Sequence, residues 1–256
     1  MNRILGRVVS LLGASFIASA LMPACVDNDR SIFVRAVLAP STNRQNGGCV
    51  YTDDPQQPQL FQGLLDVGVR DNYFAVVLVG NQMIPRGDPT LTRAESNRVH
   101  INGAIVRVTE PDGTTISEFT SYATGFADPQ QNNNPDYAVA GITLIDAATS
   151  ARLAGGLNGR GASKLVLAQV KAFGKSLGGV DVESAEFQFP LRLCNGCTVS
   201  FEGADDPARE PHPNCLAPLS SGAGGGGAEA PCFPGQDEVT PCQLCQGRPA
   251  CDPANP

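Results

Sequence analysis

Between about residue 30 and residue 194, apolar and polar residues alternate along several stretches that are separated by turn-forming residues. A period of two is typical of β-strands with one face in a core. The alternation predicts strands at 31–39, 72–80, 98–110, 114–126, 137–145, 163–174 and 180–193. Seven or eight strands with almost no helix predict an all-β fold, and an antiparallel β-sandwich in particular.

Three local features refine this pattern. In 98–110 the alternation of apolar and polar residues changes phase near Gly103, which predicts a bulge or bend there. Asp146 is a suitable cap for a short helical turn in 146–161, which glycines would end. In the last strand, Ala185, Phe187, Phe189, Leu191 and Leu193 are predicted to share one face, and Ser184, Glu186, Gln188 and Arg192 the other.

The first 24 residues have the pattern of a signal peptide. Arg3 and Arg7 precede an apolar run of 15 residues, "VVSLLGASFIASALM". A helix that spans a bilayer needs about 20 residues, so this run is too short to be a membrane span. Two cleavage sites fit: after Ala20, as in ordinary secretion, or directly before Cys25.

The sequence "LMPAC" at 21–25 resembles the lipobox of bacterial lipoproteins, although Pro23 stands where a smaller residue is more usual. The resemblance implies that Cys25 carries diacylglycerol and becomes the mature N-terminus, so that membrane lipid is a partner. Several acyl chains would anchor such a protein firmly. Val26, rather than an aspartate, follows the cysteine, which in this family favours the outer membrane. The alternative is a secreted or periplasmic protein.

The chain has nine cysteines, an odd number for an exported protein. With Cys25 lipidated, eight remain for four disulfides: Cys49, Cys194, Cys197, Cys215, Cys232, Cys242, Cys245 and Cys251. Because disulfides persist outside the cytosol, the CxxC motifs at 194–197 and 242–245 are interpreted as structural rather than as zinc or redox sites. The pairing stays open, but full pairing requires Cys49 to reach the tail.

Composition changes near residue 195, where glycine, proline and cysteine become frequent. We therefore predict a signal peptide at 1–24, a β-sandwich at 25–194, and an irregular, disulfide-bonded tail at 195–256 that is linked to the sandwich. The pair of strands "SKLVLAQVKAFG" and "VDVESAEFQFPLRL" is similar to the last hairpin of immunoglobulin-like or fibronectin-like modules. The resemblance implies such a sandwich, but the Cys…Trp…Cys signature of true immunoglobulin domains is absent.

Charge and residue content exclude several functions. The formal net charge is −7, only three lysines occur and the chain has no Lys/Arg-rich run, which argues against nucleic acid as a partner. The two histidines, His100 and His212, lie in unrelated contexts without a hydrolase motif. We therefore predict no catalytic residues, no metal and no cofactor, and we expect the protein not to be an enzyme.

The sequence thus favours a non-catalytic, lipid-anchored protein of the cell envelope that acts as a binding or scaffolding module, with an envelope protein as partner. One alternative is a polysaccharide-binding or polysaccharide-processing accessory protein. The lack of tryptophan and the 6% aromatic content do not favour a sugar-stacking surface. A second alternative is a thiol-redox or metal-binding envelope protein that uses the CxxC motifs.

Overall fold

The computed structural model describes residues 31–41, 49–87, 95–201, 215 and 230–252. The predicted signal peptide, Cys25 and His212 lie outside these residues. Within them the chain is mostly β-structure with one α-helix, which confirms the coarse prediction of a β protein. None of the helices in the described part is long and apolar enough to cross a membrane.

The secondary structure follows the predicted pattern closely and adds several short strands. In chain order the elements are β1 (Ile32–Leu38), β2 (Gln59–Leu60), β3 (Gly63–Asp66), β4 (Tyr73–Asn81), β5 (Val99–Thr109), β6 (Thr115–Ala127), β7 (Asp136–Ile145), α1 (Ala147–Ala154), β8 (Ser163–Ser176), β9 (Asp181–Glu183), β10 (Phe187–Cys194), β11 (Val199–Ser200) and β12 (Thr240–Pro241). Two short 3-10 turns, Cys242–Leu244 and Pro249–Cys251, lie near the end of the described chain.

Two large sheets contain most of these strands. The first sheet has the order β2-β1-β4-β7, and the second has the order β3-β10-β8-β5-β6, with β9 paired to β8. Strands β11 and β12 form a small separate pair. One cluster of buried apolar side chains draws on both large sheets, for example on Val77 and Ile142 of the first and on Val106 and Val170 of the second. Burying such a side chain contributes about 1.5–3 kcal/mol.

The prediction of a purely antiparallel arrangement was wrong at one edge. Strand β3 runs parallel to β10, with Gly63 opposite Leu191 and Asp66 opposite Cys194. The chain leaves the first sheet after Leu60 and joins the second at Gly63, so β3 meets a partner that is distant in sequence. Turn signals predict the pairing of strands that follow one another and carry no information on such distant edges.

The helix is formed as its sequence predicts. Asp146 precedes α1, and its side chain accepts a hydrogen bond of 2.8 Å from the backbone N–H of Thr149. The Thr149 hydroxyl donates to the hydroxyl of Ser117 on β6 at 2.8 Å. The helix is followed by Gly155 as its C-cap. The cap satisfies an N–H group that the first turn cannot bond.

The last predicted strand is interrupted, and the predicted faces are exchanged at the break. Ser184 is fully buried, whereas Ala185 is exposed. The hydroxyl of Ser184 accepts the N–H of Ala172 at 2.9 Å and donates to the carbonyl of Ala185. These bonds satisfy backbone groups where the ladder between β8 and its partners is broken. Alternation resumes in β10, where Phe189, Leu191 and Leu193 are buried as predicted.

Gly103 lies at the predicted irregularity. The register of β5 shifts between Ile101 and Gly103 against both neighbouring strands, β6 and β8. Gly103 has φ +153°, and a Cβ there would collide with the carbonyl oxygen of Ser121. The backbone conformation and the close approach of β6 therefore both require glycine.

We expect Gly103→Ala to lower the free energy of unfolding by about 3 kcal/mol or more, because it combines strain with a backbone clash. Gly113→Ala is the matched control, since Gly113 has φ +91° but open space where its Cβ would lie. Its cost should be only about 1–2 kcal/mol. Urea denaturation of both variants checks this, and equal losses would show that crowding at Gly103 is unimportant.

Candidate functional site

Four disulfides join all eight cysteines from Cys49 to Cys251. The bonds are Cys49–Cys232, Cys194–Cys197, Cys215–Cys242 and Cys245–Cys251. Cys49 thus reaches the tail, and its bond holds the tail against the strands of the first sheet. The two CxxC motifs differ, since the first closes on itself whereas Cys242 and Cys245 have separate partners. The structure therefore does not assemble the two motifs into one four-sulfur site.

The first CxxC motif encloses a buried carboxylate that the sequence did not reveal. Asp66, at the end of β3, is fully buried. Its Oδ1 accepts the N–H groups of Gly196 at 2.7 Å and Gly68 at 3.1 Å. Its Oδ2 accepts the N–H of Thr198 at 2.9 Å and the hydroxyl of Thr198 at 3.0 Å. Four hydrogen-bond donors thus surround one carboxylate, two at each oxygen.

Asp66 also lies beside both sulfurs of the motif. One carboxylate oxygen and the sulfurs of Cys194 and Cys197 lie within 4.8 Å of one another, which is close enough for three ligands of a metal ion. The sulfurs are bonded to each other, however, and the carboxylate is already surrounded by donors. This geometry favours a structural role for the motif.

A second polar junction attaches the tail to both sheets. The Gln236 side chain accepts the N–H of Phe74 at 2.9 Å and donates to the carbonyl of Phe74 at 2.6 Å. It thereby takes the place of a strand at the point where the register of β4 shifts. Asp237 accepts the N–H of Leu64 at 2.7 Å and the hydroxyl of Tyr73 at 2.8 Å. The tail residues thus satisfy the backbone of β3 and β4.

Burial changes the acidity of this junction. It raises the pKa of Asp237 above the ordinary value for an aspartate, and the hydrogen bonds from Leu64 and Tyr73 offset only part of that rise. Burial and the nearby Asp237 carboxylate raise the pKa of Tyr73 well above its ordinary value. The folded protein therefore binds the Asp237 proton more tightly than the unfolded chain does.

The sign of the pH effect follows from this shift. The contribution of Asp237 to stability is fully present below its unfolded pKa, about 4, and is lost as the pH rises through the raised pKa of the folded state. We expect Asp237→Asn, which cannot ionise, to gain stability relative to the native chain between pH 4 and pH 7. Denaturation of both proteins across this range tests it. Asp181→Asn, on an exposed side chain, is the control, and a pH-independent difference for Asp237→Asn would contradict the prediction.

The outer face of the second sheet carries an aromatic cluster that the sequence also did not reveal. The ring of His100 stacks on that of Phe126 with centroids 4.5 Å apart, and its Nε2 lies 3.0 Å from the hydroxyl of Thr124. Tyr122 is 81% exposed. A Cβ on Gly103 would lie 3.2 Å from Phe173, so the Phe173 ring covers the glycine. We call His100, Tyr122, Phe126 and Phe173 the aromatic platform.

Ion pairs surround the aromatic platform. Arg98 lies over the Phe126 ring at 5.0 Å and pairs with Asp128 at 2.9 Å. The other pairs on this face are Lys175–Asp181 at 3.3 Å, Lys171–Glu183 at 2.5 Å, and Arg107 with Glu118 at 3.0 Å and Glu186 at 3.2 Å. Exposed pairs of this kind contribute little stability, about 0–1 kcal/mol each. Their main consequence here is that the cations around the platform are balanced by acids.

Comparison with known proteins does not extend this description, since no family model, no curated protein and no solved structure matches the chain.

Proposed function

We propose that the chain is a non-catalytic, lipid-anchored protein of the cell envelope whose β domain acts as a binding or scaffolding module. The observation that carries this proposal is the pairing of the cysteines. Four disulfides use eight of the nine cysteines, and the ninth is Cys25 in the lipobox-like sequence. Lipidation gives this cysteine a role that needs no partner within the chain.

We also propose that the two sheets form an immunoglobulin-like sandwich with a disulfide-bonded tail. The second sheet contains the order β10-β8-β5-β6, which corresponds to strands G, F, C and C′ of variable-type immunoglobulin domains. Strands β4 and β7 pair antiparallel and then correspond to B and E. The shared core and the contact of Tyr73 with Phe189, with ring centroids 6.2 Å apart, support packing of the sheets face to face.

The structure of the tail supports a scaffolding role. The Cys49–Cys232 bond, the Gln236 amide and the Asp237 carboxylate connect the tail to both sheets. A body held in this way presents its surfaces with little loss of conformational entropy on binding. The second CxxC motif gives the thiol-redox alternative no support, because Cys242 and Cys245 are bonded to Cys215 and Cys251 rather than to each other.

The anchoring part of the proposal is tested by the intact mass of the protein isolated from native membranes, without reduction and after trapping of free thiols. We expect a chain that starts at Cys25, carries acyl groups and takes no thiol label. A chain that starts at Leu21 without lipid would instead make the protein secreted. Labelled thiols, or a bound zinc ion under native conditions, would favour the redox or metal alternative.

The binding part is tested by chemical cross-linking in intact cells, followed by purification of the protein. We expect a discrete envelope component to be linked to it. Hydrolysis of an envelope polymer by the purified protein would contradict the non-catalytic assignment.

A further inference from the structure

We propose that the aromatic platform binds an uncharged polysaccharide. This inference builds on the proposed function, because it assigns a ligand class and a surface to the binding module. It is carried by the exposure of the aromatic rings, by the hydrogen-bonding groups among them, and by the balance of charge around them.

The residues of the aromatic platform come from three strands, β5, β6 and β8, and the register of these strands places them side by side. Lys175, His100 and Phe126 are opposite one another on β8, β5 and β6. In the adjacent row, Phe173, Gly103 and Tyr122 are opposite one another on the same three strands. Since successive side chains of a strand alternate between faces, these two rows lie on the solvent side, opposite the buried Ile101 and Ala104.

Two exposed rings lie close together on one face of the sheet, at Tyr122 and Phe126. Tyr122 is 81% exposed and Phe126 is 48% exposed, although the other face of their sheet lies in the apolar core. The missing side chain at Gly103 leaves room for the Phe173 ring, which lies over the glycine in the row that also holds Tyr122. The exposed Tyr122 ring matches the C–H face of a sugar ring, which is apolar while the edges of the sugar carry hydroxyls. The Phe126 ring, with His100 stacked on it and Arg98 over it, borders this surface.

Polar groups at the platform fit those hydroxyls. Thr120 and Thr124 are exposed on β6, on the same face as Tyr122. The His100 imidazole lies at hydrogen-bond distance from Thr124, and the Tyr122 phenol adds a further donor and acceptor. A few placed polar groups within an apolar surface are what fixes the orientation of a small ligand unit.

The charge on this face favours an uncharged ligand. Arg98, Arg107, Lys171 and Lys175 are each paired with a carboxylate. An anionic polymer would have to displace those carboxylates, and a cationic one would have to displace the basic groups. A neutral, hydroxyl-rich chain meets neither cost, and it can continue along the sheet beyond the two rows.

The test is affinity electrophoresis of the full chain, purified from native membranes, in Triton X-100. Native gels contain one of three neutral polymers, hydroxyethyl cellulose, galactomannan or dextran, or the anionic polygalacturonate. We expect at least one neutral polymer to retard the protein. Tyr122→Ala should weaken the apparent affinity at least about tenfold, equivalent to about 1.4 kcal/mol, and Tyr122→Phe should weaken it less because the ring remains.

Phe61→Ala is the matched control, because Phe61 is 87% exposed but lies between β2 and β3, away from the platform. It should bind as the native chain does. The proposal is overturned by no retardation in all three neutral gels, by retardation in polygalacturonate alone, or by Tyr122→Ala binding as well as the native protein. Self-association that Tyr122→Ala abolishes, without polymer binding, would also overturn it and make the platform a dimer interface.

These outcomes are separable from those of the proposed function. If no polymer is bound but Cys25 carries lipid and a discrete envelope component is cross-linked, the polysaccharide proposal fails and the binding module remains. If Cys25 carries no lipid while a neutral polymer still binds at Tyr122, the anchoring proposal fails and the polysaccharide site remains.

Discussion

Separating Cys49 from Cys232 is expected to lower the free energy of unfolding by about 3–5 kcal/mol. The change is the double substitution Cys49→Ser and Cys232→Ser. The bond closes a loop with a sequence separation of 183 residues, whereas Cys245–Cys251 spans only 6. In the chain-entropy model a loop of the first length contributes about 5 kcal/mol and one of the second about 2 kcal/mol.

Removing the Cys49–Cys232 bond should loosen the tail before it affects the two sheets. Without this bond, the tail is held by the Gln236 and Asp237 hydrogen bonds and by its packing, so the tail should become sensitive to protease before the sheets do. Guanidinium denaturation under non-reducing conditions measures the total effect, and limited proteolysis measures the local one. The double variant of Cys245 and Cys251 is the control. An equal or greater loss in that control would refute the loop-length argument.

Asp66→Asn is the second large effect that we expect, with a loss of about 3 kcal/mol in the free energy of unfolding. The carboxylate accepts from Gly196, Gly68 and Thr198, and the site is buried. Whichever way an asparagine amide turns, its NH₂ group faces at least one buried backbone N–H. That N–H loses its acceptor, and a buried donor without an acceptor costs about 1–3 kcal/mol.

Asp181→Asn is the matched control for this prediction. Its side chain is 83% exposed and its ion pair with Lys175 is 3.3 Å long, so the loss should stay below about 0.5 kcal/mol. Thermal unfolding of both variants under identical conditions compares the two. Similar stabilities for Asp66→Asn and the native chain would show that the junction between β3 and the CxxC loop is unimportant for the fold.

Strand prediction succeeded where a strand has one buried face and enough residues to show a period of two. The bounds of β4 (Tyr73–Asn81) and β5 (Val99–Thr109) differ from the prediction by a single residue at each end. It failed for β3, whose four residues are too few to display alternation. It also failed at Ser184, because a polar side chain can be buried when it satisfies the backbone, and hydropathy alone does not register this.

The same limits apply to the candidate sites. The cysteine count predicted that the eight cysteines after Cys25 would pair, but eight cysteines allow 105 pairings and the sequence does not choose among them. Nothing in the sequence distinguishes Asp66 from any other acid near a turn. Its hydrogen bonds come from the N–H groups of residues about 130 positions away, which sequence patterns do not connect to it. The low aromatic content argued against a sugar-stacking surface, yet the register of β5, β6 and β8 places four rings in two adjacent rows on one face.

The sequence by itself determined features that depend on neighbouring residues or on a count. These are the alternation of the strands, the cap at Asp146, the glycine at the bulge, the net charge and the odd number of cysteines. Only the tertiary structure decided the parallel edge at β3, the disulfide partners, the donors around Asp66 and the aromatic platform. Each of these joins segments distant in the chain, and their meeting depends on register and packing, which no single stretch of sequence contains.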